Sequence, residues 1–116
     1  MNNLKELLIG FAFFIVAQSL SWFQTNGQFI NKWAKEHPFM MACIFAIPIS
    51  YSFIHATRLT VEHYDGLLWP GRLVGFACGM LSFYLLTYYI MGEGLTLKTT
   101  LTLVLAVAII LIQAFL

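Results

Sequence analysis

Apolar residues fall in four long blocks, residues 7–23, 39–56, 72–91 and 99–116, separated by shorter polar stretches. No Asp, Glu, Lys or Arg lies inside these blocks except Arg72, at the first position of the third. Runs of about 17–20 apolar residues are the length at which an α-helix crosses the roughly 30 Å hydrocarbon layer of a bilayer. The pattern therefore predicts an all-α fold, an integral membrane bundle of four transmembrane helices forming one domain over residues 1–116.

Local signals place the ends of the blocks. Gln24 to His37 is polar, with an Asn26-Gly27 turn signal. Within it Phe29, Ile30 and Trp33 lie at helical spacing, which predicts a short interfacial helix or a flared end of the first span. Pro38 and Pro70 suit the first turns of helices. Pro48 stands in mid-block, removes one backbone hydrogen bond and predicts a kink, with Ser50, Ser52 or a neighbouring helix supplying a partner for the freed carbonyl. Thr57 to Trp69 reads as a loop, and Gly92-Glu93-Gly94 as a stop. Leu7–Phe23 is long for a signal-peptide core and no small-x-small site follows it, so retention as a span is expected.

Composition supports the membrane reading. The chain has 116 residues, 60% hydrophobic and 9% charged, against about 25% charged in ordinary soluble domains. A soluble fold this small leaves much of its surface wet and has nowhere to hide such a composition. A net charge of +1 gives no basic footprint for nucleic acid. Cys43 and Cys78 sit in apolar blocks and read as small packing residues. Glu62, His63 and Asp65 share a loop, but their spacing is weak for a metal site, and a solvated loop is expected. No nucleophile–base pair, phosphate loop or zinc signature is present, so neither enzymatic activity nor a cofactor is expected.

Charge leaves the orientation open. Four spans put Lys5, Arg58 and Arg72 on one side and Lys32, Lys35 and Lys98 on the other. The positive-inside rule does not choose between equal counts. Either the chain inserts both ways and pairs with an inverted copy, or features outside the Lys/Arg count set one orientation.

The third block carries Gly71, Gly75 and Gly79, four apart on one helix face where a neighbouring backbone can approach closely. The face is expected to serve either a homodimer, which Gly75→Leu would then dissolve, or packing against helices of the same chain.

Ala17-Gln18 in the first block, Trp69-x-Gly71 before the third and Tyr89 to Leu95 after it, with an echo in Tyr51 to Arg58, follow a known order. In these the chain resembles the drug/metabolite transporter superfamily in its minimal four-helix form. It is similar to the small multidrug resistance proteins and to small superfamily members of unassigned function. The resemblance implies an antiparallel homodimer with a substrate cavity between subunits, and a first-helix glutamate exchanging protons for cationic substrate. Gln18 stands at that position and cannot titrate. The third helix is also longer here than in the multidrug proteins. The implied role is transport of a small organic solute by a multi-pass protein of a cell or inner membrane, without the usual glutamate chemistry. The alternatives are a non-transporting accessory protein and a small oligomeric pore.

Polar side chains within the spans are the candidate chemistry. Gln18 is expected either to contact solute or to join helices. Ser21, Trp22, Tyr51, Tyr84 and Tyr88 are expected to line an aromatic cavity with it, Tyr84 and Tyr88 sharing a face. The competing expectation puts the tyrosines in the interfacial belt. His55, near the end of the second block, is the candidate proton carrier. Gln113 is expected to reach headgroups, and Arg58 and Arg72 to meet lipid phosphates.

Overall fold

The structure, a computed structural model, describes residues 2–116, with side chains from Leu4 onward. Four helices are long and apolar enough to cross a membrane, as expected for an all-α membrane protein. They are α1 (Asn2–Asn26), α3 (Pro38–His63), α4 (Trp69–Leu86, prolonged by a π-helical turn at Thr87–Met91) and α5 (Leu97–Phe115). A 3₁₀ turn at Gly27–Phe29 and the short helix α2 (Lys32–Glu36) join α1 to α3. The candidate spans of 26, 26, 23 and 19 residues correspond to about 29–39 Å of helix at 1.5 Å per residue.

The polar connections place the ends. Asn31 caps α2, its Oδ1 accepting from the backbone N–H groups of Trp33 (2.8 Å) and Ala34 (3.4 Å). Both forms expected for the 24–37 stretch occur: the first span runs on through the 3₁₀ turn to Phe29, and Trp33 lies on a separate short helix. Pro38 occupies the first turn of α3, and the helix continues through Pro48. It also continues past Ala56, where a loop was expected, because no helix breaker occurs before Asp65 and Gly66, both at positive φ. Arg58, Glu62 and His63 therefore ride on the last turns of α3. Gly92 ends the π-helical turn in the left-handed conformation, φ 72°. Thr96 caps α5 by accepting from Thr99 N–H.

Helix α1 is the centre of the bundle, packed along one side by α3 and along another by α4, while α5 packs on the outer side of α4. The core is built from small side chains. Ala17, Ala56, Val74 and Ala77 are fully buried, and Phe14 packs against Ala56, Val74 and Cys78. Small residues let helices approach closely, the packing that holds bundles together where lipid removes the hydrophobic drive.

The glycines of α4 make that approach possible inside the chain. A Cβ on Gly71 would stand 2.7 Å from Thr60 Oγ1 of α3. On Gly75 it would stand 2.9 Å from the Phe14 ring, and on Gly79 2.8 Å from Gln18 Cδ, both on α1. Intramolecular packing thus occupies the face that the sequence also offered to a dimer. Thr60 has little freedom to yield, since it is fully buried, β-branched and donates its hydroxyl to Ala56 O at 2.8 Å.

Tyr64, just past α3, ties the far ends of two helices together. Its hydroxyl donates to the Gln113 carbonyl of α5 at 2.6 Å. Gln113 thus contributes its backbone here. Burial pushes the Tyr64 phenol above its ordinary range.

Two outcomes follow from this packing. Gly71→Leu should destabilise the fold by about 1–3 kcal/mol through overpacking, whereas Gly94→Leu, with nothing within 4 Å of its Cβ position, should stay within about 0.5 kcal/mol; thermal unfolding in detergent compares them. For Tyr64, the unfolded phenol ionises from about pH 10 while the folded one holds its proton. The contribution of Tyr64 is therefore complete below that pH and lost as pH rises through the higher folded value. Alkaline unfolding should be less steep in Tyr64→Phe than in the parent protein.

Candidate functional site

Helices α3 and α4 touch closely where Thr60 meets Gly71. Beyond that contact they share few neighbours, and α1 forms the floor between them. The gap is a laterally open cleft of about 780 Å³, within the range of about 300–1,000 Å³ usual for small-molecule sites. Phe14 and Gln18 come from the floor, Phe53 and Thr57 from α3. The α4 wall consists of Phe76, Met80 and Phe83 beside the glycine row, with Leu68 and Arg72 at the end where α4 begins.

Gln18 is the polar group of the floor. Its Nε2 donates to the Gly75 carbonyl at 3.1 Å, and its carboxamide lies flat against Gly79. Among the described residues no donor reaches its Oε1. The amide is thus half-buried, held by one bond to the wall, and able to accept from a guest. Thr57 adds an exposed hydroxyl group to the lining.

The aromatic residues expected beside Gln18 are not gathered around this cleft. Gln18 does line the cleft, but the aromatic walls are phenylalanines, and neither Trp22 nor the tyrosines contribute. Trp22 is buried, 3% exposed, and its indole N–H donates to Thr87 Oγ1 at 2.9 Å. It anchors α1 to the first residue of the π-helical turn, a local irregularity that no sequence signal announced. Ser21 turns its hydroxyl back to the Ala17 carbonyl at 2.9 Å. Tyr51 is 61% exposed on α3. Tyr84 faces α5, where it lines a second, apolar groove of about 480 Å³ with Leu81, Leu103 and Val107. Tyr88 is exposed and packs its ring against Tyr84 and Tyr89.

His55 is also off the cleft. Its ring stacks on Phe13 and meets Tyr51 edge-on. Arg58 Nη2 lies 2.8 Å from His55 Nδ1, so the guanidinium donates to the ring nitrogen. Arg58 thus has a side-chain partner, and the pair is separate from the lining residues. Among the described residues no three His, Cys, Asp or Glu side chains gather as a metal site; His63 packs edge-on against Tyr64 instead.

A signal for the lining of this cleft was present. Phe76, Met80 and Phe83 recur at i, i+4 and i+7 beside the glycine row, a stripe on one flank of α4. Its meaning depends on whether a neighbouring helix covers it, and α3 leaves it open.

Set against protein-family models, curated proteins and solved structures, the chain matches none.

The Trp22 anchor generates a testable outcome. Trp22→Phe keeps most of the ring but leaves a buried hydroxyl without its donor, at a cost of about 1–3 kcal/mol. Thr87→Val in the same background should add much less than it does alone, a coupling that a double-mutant cycle by thermal unfolding measures.

Proposed function

We propose that this chain is a small membrane transporter that moves a small organic solute through the cleft bounded by α1, α3 and α4. The observation that carries this reading is the half-buried Gln18 amide at the floor of an aromatic, laterally open cleft of ligand size. A buried polar group beside an apolar cavity supplies orientation while the walls supply affinity. The glutamine carries no proton, so coupling does not run through this position.

The cleft has a floor and two walls but is open on its remaining side. Pairing with a second copy would close it, and the equal Lys/Arg counts on the two sides fit an inverted partner. The homodimer and its antiparallel arrangement are part of the same proposal, as is residence in a cell or inner membrane.

A second reading has its own observation. The groove between α4 and α5 is almost wholly apolar and lies on the outside of the bundle, which suits an accessory protein holding a helix of a larger membrane complex. The two readings use different surfaces.

Uptake by reconstituted protein, screened against a panel of small metabolites, tests the first. The parent protein should accumulate at least one solute above empty vesicles. Gln18→Ala should lower that uptake about tenfold, the scale of one lost hydrogen bond to the guest, while Tyr51→Phe should leave it unchanged. Uptake that ignores Gln18 would discard the cleft as the route.

A further inference from the structure

The charge lining the cleft is one-sided. Arg72 is its one charged side chain, and no carboxylate lines it. Among the described residues Arg72 also has no ion-pair partner; the salt bridge present joins Lys32 and Glu36 in α2. Arg58, on α3, is different, since it bonds His55 away from the cleft. Arg72 therefore sits with free donors at one end of a cleft whose other lining residues are uncharged. The first turn of α4, at the same end, has no side-chain cap and adds potential of the same sign.

The geometry has a direction. Arg72 stands near the polar connection before α4, while Phe76, Met80 and Phe83 continue along the same wall. From Arg72 to Phe83 the helix rises about 16 Å, which spans an extended alkyl chain of about a dozen carbons. A guanidinium forks onto phosphate or carboxylate oxygens with two parallel hydrogen bonds. A cationic guest would be repelled at this end, and a neutral one would gain nothing from it.

We infer that the cleft takes a single-chain anionic amphiphile, its phosphate or carboxylate head on Arg72 and its alkyl tail along Phe76, Met80 and Phe83. The inference rests on the cleft being the ligand site. It assigns the guest a charge opposite to that of the cationic substrates implied by the resemblance.

Photo-crosslinking tests it without any transport assay. The protein in phosphatidylcholine nanodiscs is exposed to dodecyl phosphate carrying a chain-terminal diazirine, and the labelled peptide is mapped. Labelling should concentrate on the 76–83 segment of α4, and the matching dodecanol probe should label that segment at least tenfold less. That comparison needs only the parent protein. Arg72→Gln, a change at an exposed side chain, should lower labelling by dodecyl phosphate to the level of the alcohol, and Arg58→Gln should leave it unchanged. Equal labelling by phosphate and alcohol would overturn the anionic guest while leaving a cleft that binds amphiphiles. Absence of label from the 76–83 segment would overturn both the guest and the cleft. Suppression by an equal mole fraction of phosphatidylglycerol would also overturn the proposal, since a two-chain bilayer lipid would then be the occupant.

Discussion

The close approach of α4 to α1 and α3 is the contact on which the rest of the bundle depends. Three glycines one turn apart remove the side chains that would hold the helices apart, and Thr60, Phe14 and Gln18 fill the space. In a bilayer the surrounding hydrocarbon is as apolar as the helix surfaces, so association depends on dispersion contacts at short range and on a few hydrogen bonds. The small-residue core, with Ala17, Ala56 and Ala77 fully buried, extends that principle through the bundle.

The same glycine row produces the cleft. Its contact with Thr60 pins α4 to α3 at one level, while the next two glycines turn to α1. The two outer helices are therefore joined at one end and share only the floor further along. Phe53, Phe76 and Phe83 line the space without closing it. Gln18 belongs to both features, since its amide seals the α1–α4 contact by bonding Gly75 O and also faces the cavity. Altering the face that Gln18 turns to the cavity therefore also disturbs the helix contact.

The polar anchors away from the cleft fix the two ends of the bundle. Trp22 holds α1 to the π-helical turn of α4, and Tyr64 holds the end of α3 to α5. Hydrogen bonds at these positions join elements far apart in sequence and restrain sliding between parallel helices. The cleft lies between the two anchors, beside the tightly packed cluster of Phe14, Ala56, Val74 and Cys78.

Four spans, their approximate ends and the glycine face were legible in the sequence, because each depends on local chemistry. Apolar block length sets the spans, Pro38 and Pro70 set helix starts, and a four-residue glycine repeat marks a face whatever it packs against. The extension of α3 to His63 was legible too in the lack of a breaker before Asp65, but polarity pointed to a loop. What only the tertiary structure decided is which partner meets each face. Helical periodicity groups Gly71, Gly75 and Gly79 on one face, and Phe76, Met80 and Phe83 along one flank, without saying which azimuth a neighbouring helix covers. Trp22 and Tyr84, natural cavity residues by type, became an anchor and a groove wall, while plain phenylalanines became the lining. Burial is a property of the neighbours, and neighbours distant in sequence are assigned only when the helices pack.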